Sequence, residues 1–309
     1  MEVTMGSCHV HSHSHATGNV LVGSLIATTA FVAIEAYFGF RSGSMALRSD
    51  AGHNFTDAFG LLLAAVAYFC QSRPGNQIKT FGYHRTGVLA AFVNALTLVG
   101  LSLWISYESY QRLFHPPPVA EMTMVWVAAA GLVLNLSIAW GLGGHDGDLN
   151  LRAAWIHMAG DAATCVGIII GALVIRSTGW LVIDPALSLL IAVAIIWTAW
   201  DIFKDSLNIL LEGLPKGIEL AEVTEEIRRV GGVIDVHDLH IWSLGSEAHA
   251  LSCHVQIEDM PPSSSASILR TVNHILRDRF SIDHTTIQFE HMRCALADSS
   301  CIVTPRHQH

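Results

Sequence analysis

Ser49 to Asp57 reads SDAGHNFTD and lies inside an otherwise apolar run, with Asp50, His53 and Asp57 at offsets of three and four. On a helix those offsets stack the three side chains on one face. Further along, HMAGD sets His157 and Asp161 at the same four-residue spacing, again in an apolar segment long enough to cross a bilayer. With a rise of about 1.5 Å per residue, both pairs fall roughly 10 to 18 Å from their entry surface, near the middle of a ~30 Å hydrocarbon core. An ionised carboxylate there costs several kcal/mol unless it is paired, hydrated or bound to a metal. A single His-Asp pair reads as hydrogen-bonded packing; two matching pairs read as a site. Two imidazoles and two carboxylates make a tetrahedral donor set for Zn²⁺.

The composition agrees with a membrane location. Of 309 residues, 51% are hydrophobic and 14% charged, against about 25% charged in soluble domains. Residues 205–309 carry 15 acidic and 8 basic side chains, leaving 11 and 9 for residues 1–204. That acidity disfavours nucleic acid as a partner and suits cations, although it also serves solubility. The six cysteines, at positions 8, 70, 165, 253, 294 and 301, form no CxxC pair, so a disulfide framework is not expected. The first eighteen residues hold no Lys or Arg and no signal-peptide core, so this end is expected to be retained and not translocated. His9, His11, His13 and His15 alternate with small residues, a weak metal-trapping pattern in a tail too polar to pack.

Six hydrophobic segments follow, near Val20–Phe40, Met45–Cys70, Gly87–Tyr110, Val119–Leu142, Ala153–Ile175 and Gly179–Trp200. Each is long enough for a membrane helix, and breakers separate them: Arg41–Ser44, the RPGN turn at Arg73–Asn76, Pro116–Pro118 and Gly143–Asn150. An even count puts both termini on one side. Placing them in the cytosol leaves six Lys and Arg in inner loops and four in outer ones, a slight positive-inside bias. The acidic C-terminal domain, with no translocation signal of its own, supports the same orientation. From Pro215 the pattern becomes that of a small soluble domain. A helix near Ile218–Val230, strands near Val233–Leu244 and Glu247–Glu258, a helix near Ser265–Phe280 and a strand near Thr285–His291 give the order αββαβ. Such a two-layer unit is small enough to benefit from dimerisation. The domains expected are thus a His-rich tail (1–18), a six-helix bundle (19–204) and a cytosolic α+β domain (205–309).

Together SDAGHNFTD, TFGYHR (Thr80–Arg85), HMAGD, DSLNILLEGLP (Asp205–Pro215), VHDLHIW (Val236–Trp242) and HTTIQFE (His284–Glu290) resemble, in order and over nearly the whole chain, the cation diffusion facilitator family of zinc transporters. The resemblance implies a homodimer with an intramembrane Zn²⁺ site at His53, Asp57, His157 and Asp161 and cytosolic domains of ferredoxin-like fold. It also implies cytosolic zinc ligands at His237, His254 and Glu290, with His240 and His284 as further candidates, and a peripheral position at His84. Gln288 departs from members with His there, which thins the expected cytosolic metal cluster or shifts it to His284 or His291. HxxxD on both helices resembles the zinc and cadmium branch. Imidazole suits Zn²⁺ and Cd²⁺, whereas an all-oxygen site would suit Mn²⁺ or Mg²⁺ better; Co²⁺ stays open.

On this reading the chain exports Zn²⁺ in exchange for protons, using no organic cofactor and no ATP-binding loop. The expected partners are Zn²⁺, protons, the lipid bilayer and a second copy. An inner bacterial membrane is expected, with an organelle membrane as the alternative. Asp50, one turn before His53, is a candidate gate or proton relay. Glu35, alone in the first segment, either relays protons or lies against a polar cavity wall. Gly167 and Gly171 suggest close helix packing. Cys294 and Cys301 either add a soft site or stay free thiols. Two rival classes are a membrane zinc sensor and a membrane metalloenzyme. The enzyme reading lacks an HExxH motif and a free fourth zinc position.

Overall fold

The computed structural model describes residues 14–142, 149–245 and 248–292. Six long helices come first: α1 (Ser14–Ser42), α2 (Met45–Gln71), α3 (Arg85–Phe114), α4 (Glu121–Leu142), α5 (Leu149–Thr178) and α6 (Ile183–Leu210). A smaller set follows: α7 (Leu220–Arg228), β1 (Val233–Ser243), β2 (His249–Ile257), α8 (Pro262–Phe280) and β3 (Ile282–Glu290). The helices overrun the apolar segments at several ends. Hydropathy marks where side chains turn polar, whereas helical hydrogen bonding continues to a breaker. Thus α3 passes Tyr110 and stops at Phe114, just before the Pro116–Pro118 run. Among the described residues four helical stretches are long and apolar enough to cross a membrane: Arg85–Phe114, Glu121–Gly141, Ala154–Thr178 and Ile183–Leu210. By contrast, α2 carries Arg48, Asp50, His53 and Asp57 in its N-terminal half. The His9–His13 stretch, Cys294 and Cys301 lie outside the described residues.

The chain divides into two compact units, Met1–Leu62 with Asn94–Asp201, and Leu63–Val93 with Ile202–His309. In the first unit Ala46 and Leu47 of α2, Met124, Val127 and Ala128 of α4, and Ile168, Ala172 and Ile175 of α5 form one buried cluster. The small residues in it let helix backbones approach closely. At Gly171 a Cβ would lie 2.3 Å from a Leu187 methyl, so a larger residue on α5 would have to push this α6 side chain aside, while Gly167 faces open space. Of the two glycines noted in the sequence, only Gly171 serves close packing.

The start of α2 is fixed from another helix. Asp184, buried in the first turn of α6, accepts hydrogen bonds from Ser44 Oγ (2.5 Å) and from the backbone N–H groups of Met45 (2.7 Å) and Ala46 (3.2 Å). The first N–H groups of a helix have no partner within it, and a carboxylate there also meets the positive end of the helix dipole. Asp184 thereby sets the depth and rotation of α2, and with them the positions of His53 and Asp57. In sequence the only hint was an Asp just before Pro185 at the head of an apolar run.

In the second unit β1 and β2 pair antiparallel, β2 and β3 parallel, in the order β1-β2-β3. Val223 and Ile227 of α7 and Ile268, Val272, Leu276 and Phe280 of α8 cover one face of this sheet. Leu251, Cys253, Val255 and Ile257 of β2 point into that core, so the alternate residues Ser252, His254 and Gln256 stand on the opposite face. The pairing of β1 shifts between His237 and His240, where Asp238 takes a left-handed φ of 52°. This bulge switches the parity of β1: Val236 and Ile241 both stay buried, although strict alternation would put them on opposite faces.

Asp184→Ala is expected to lower stability by about 1–3 kcal/mol, because it strips a cap and leaves two buried N–H groups unpaired. Thermal unfolding of the purified chain in detergent measures this. A midpoint equal to the parent's would show that α2 is held by other contacts.

Candidate metal centre

His53 and Asp57 lie one turn apart on α2, as do His157 and Asp161 on α5, and the two helices bring all four together. His53 Nε2 lies 3.5 Å from Asp57 Oδ2 and 3.7 Å from Asp161 Oδ1. His157 Nε2 lies 3.2 Å from Asp57 Oδ2 and 3.6 Å from Asp161 Oδ2. The imidazole planes stand at 77° with centroids 5.9 Å apart. Bonds of about 2.0–2.1 Å from a tetrahedral Zn²⁺ put its ligand atoms roughly 3.3–3.4 Å apart, close to these four nitrogen–oxygen separations; His53, His157 and Asp161 offer ligand atoms that all lie within 4.8 Å of one another, and Asp57 Oδ2 reaches both imidazoles. Asp57 Oδ2 is buried and accepts no hydrogen bond, and His53 Nδ1 is likewise buried without a partner. Buried polar atoms are normally satisfied, and a cation at the centre of the four groups would satisfy Asp57. His157 is the open side of the cluster, its side chain 42% exposed against 6% for Asp161.

Behind this cluster lies a second polar set that the sequence had only partly shown. Glu35 (α1) and Asp50 (α2) are fully buried, with Asn54 of α2, Asn135 of α4 and Cys165 of α5 beside them. Asn54 Nδ2 donates to Glu35 Oε2 at 3.3 Å, Cys165 Sγ lies 3.8 Å from Asp50 Oδ2, and Asn135 Nδ2 lies 3.9 Å from Cys165 Sγ. Asn135 lies in the apolar run of α4 and Asn54 beside His53 in SDAGHNFTD, which was the available signal for them.

On the small sheet, cross-strand register brings a further three residues together. His237 pairs with His254, His254 with Gln288, and Gln256 with Glu290. Glu290 Oε1 lies 2.9 Å from His254 Nδ1, and its Oε2 lies 3.2 Å from His237 Nε2. Both nitrogens of His237, His254 Nδ1 and Glu290 Oε2 are buried without hydrogen bonds. This trio has the donors for a cation. Gln288 donates from Nε2 to Glu290 Oε1 at 3.0 Å, so it orients the carboxylate in place of offering an imidazole. The other candidates stand apart. His240 is exposed and hydrogen-bonds Asp238 (3.0 Å), and His284 is exposed against the Phe81 ring (centroids 5.1 Å). His84 is exposed and shares with His240 the wall of a cavity of about 940 Å³. Cys253, next to His254, faces the helices, and burial pushes its thiol up to about 12, which keeps it a packing residue and not a ligand.

Two His-carboxylate clusters, one between α2 and the membrane-length α5 and one on a small α/β unit, define a membrane protein that handles metal cations. A family model described as the cation efflux transmembrane domain matches residues 21–211, and one described as the cation efflux protein cytoplasmic domain matches residues 215–292. The chain belongs to this cation efflux, or cation diffusion facilitator, family. It is similar to a cadmium, cobalt and zinc/H(+)-K(+) antiporter of Bacillus velezensis, at 40% identity over 91% of each chain. It is 39% identical to the metal cation efflux system protein CzcD of Cupriavidus metallidurans, over 96% of this chain and 94% of the relative. With the zinc transporter ZitB of Escherichia coli it shares 39% identity over 92% of this chain and 93% of the relative. The family and these relatives are transporters, not enzymes, which removes the metalloenzyme reading.

Asp57→Ala and Asp161→Ala are each expected to reduce the number of Zn²⁺ ions held by the folded chain by one, since each removes a ligand and a compensating charge. Equilibrium dialysis against buffered zinc counts the ions. Parental stoichiometry in either variant would place the intramembrane site elsewhere.

Proposed function

We propose that this chain is a secondary transporter that exports Zn²⁺ from the cytosol in exchange for protons, with Cd²⁺ and Co²⁺ as further cargo. The convergence of His53, Asp57, His157 and Asp161 at 3.2–3.7 Å supports this reading most strongly. Asp57 and Asp161 offset the dication's charge in a low-dielectric bundle. The histidines bind it only when neutral, so protonation on an acidic side releases the ion. The partly exposed His157 gives the cargo a way in and out. Asp50 relays protons.

The same proposal has α1 to α6 all crossing the bilayer, both termini in the cytosol, and an inner bacterial membrane as the location. Two copies meet through the C-terminal domains, whose αββαβ order suits a ferredoxin-like fold, and no organic cofactor is involved. The His237, His254 and Glu290 cluster lies on the C-terminal unit and not on the helices that carry the cargo site, so its role is regulatory. A metal bound there favours whichever conformation binds it better.

Purified full-length chain in proteoliposomes, loaded with a zinc-sensitive dye, tests the proposal. An acidic lumen should speed zinc entry, and zinc entry should drive protons out. His237→Ala with His254→Ala should shift the zinc concentration for half-maximal flux several-fold without abolishing flux. Zinc binding with no flux would favour a sensor, and flux indifferent to the pH gradient would remove the exchange. Total loss of flux in a folded double variant would make the sheet cluster essential to translocation.

A further inference from the structure

Glu35 and Asp50 are the most deeply buried charged side chains beside the metal cluster, at 0% and 1% exposure, and neither belongs to the four-residue ligand set. Asn54, one turn after Asp50 on α2, donates to Glu35, so both carboxyls belong to one buried polar set. Carboxylates are acceptors only, and two buried together cannot both stay ionised without a large cost, so one of them carries a proton. Glu35 Oε1 and Asp50 Oδ1 are buried and find no donor. The remaining oxygens are placed by neutral groups: Glu35 Oε2 accepts from Asn54, and Cys165 lies against Asp50 Oδ2. The charged and titratable groups facing the pair from α2 and α5 are His53, Asp161 and Cys165. Among the described residues no Lys or Arg is buried here.

The charge balance of the bundle then gives the pair a task. With both histidines neutral, Zn²⁺ cancels Asp57 and Asp161, but Glu35 and Asp50 would leave two uncompensated negative charges in a medium where one is costly. A shared proton removes one of them. Without zinc, Asp57 and Asp161 add negative charge nearby and favour a second proton on the pair. An arriving dication opposes it.

We propose that Glu35 and Asp50 form a proton-carrying site that holds two protons when the metal site is empty and one when it is filled. The step breaks one carboxyl O–H bond, leaves its electron pair on the oxygen and passes the proton to water. Glu35, named above only as an open question, becomes a residue of the exchange, and Asp50 becomes half of a pair and not a lone relay. Asn54 and Cys165 position the pair. This inference rests on the zinc–proton exchange reading.

The test is the number of protons released per Zn²⁺ bound by the purified full-length chain. It is measured by titration calorimetry in buffers of different ionisation enthalpy, at a pH where the cytosolic domain contributes equally to every variant. Glu35→Gln combined with Asp50→Asn, which puts an uncharged amide in place of both carboxyls, should release about one proton fewer per zinc than the parent. Either amide alone leaves one carboxyl able to lose its proton and should keep the parental count, as should Glu35→Asp, which keeps both carboxyls. Parental proton release in the double variant would overturn the proposal. Zinc binding by the parent with no proton release at all would instead overturn the exchange on which it rests.

Discussion

A negative charge inside a membrane bundle must meet a positive one or a proton, and most of this structure follows from that requirement. Asp57 and Asp161 face one another across α2 and α5 with two imidazoles between them. A cation at their centre turns four mutually awkward groups into a satisfied set. Glu35 and Asp50, with no such ligand set, meet the requirement through a proton. The same physics accounts for Asp184, whose carboxylate is offset by the amide groups that start α2. Three different solutions to one problem thus lie in the same unit, and each ties a carboxylate to a particular helix position.

Geometry at the metal cluster depends on how rigidly α2 and α5 are placed. The buried cluster of Ala46, Leu47, Ala128 and Ala172 leaves little room for rotation. Gly171 lets α6 approach α5, and α6 carries the aspartate that caps α2. In the small domain the device is different. A bulge at Asp238 keeps Val236 and Ile241 in the core and leaves His237 opposite His254 on the outer face. One pairing error there would turn either histidine away from the other.

How much of this was legible in the sequence depended on whether the signal was local. Matching HxxxD pairs pointed to His53, Asp57, His157 and Asp161 directly, because an i to i+4 offset on a helix is a statement about space. The αββαβ order was readable from the alternation of Val233–Leu244 and Glu247–Glu258 and from the amphipathic patterns of the helices. His237, His254 and Glu290 were not readable from spacing, since register between strands distant in sequence sets their contact; only the family resemblance pointed to them. His84, His240 and His284 shared the same kind of motif yet stand apart from that cluster, which motif composition alone does not separate. Asp184 and the Glu35, Asp50, Cys165 contacts escaped the sequence reading because each joins helices far apart in the chain.

The central claim is that two imidazoles and two carboxylates from α2 and α5 hold the cargo ion. X-ray absorption on the full-length His237→Ala, His254→Ala chain loaded with one equivalent of Zn²⁺ tests it most directly. The account predicts a four-coordinate ion with nitrogen and oxygen ligands at about 2.0–2.1 Å and the scattering of two imidazole rings. A six-coordinate, all-oxygen shell without imidazole scattering would contradict it.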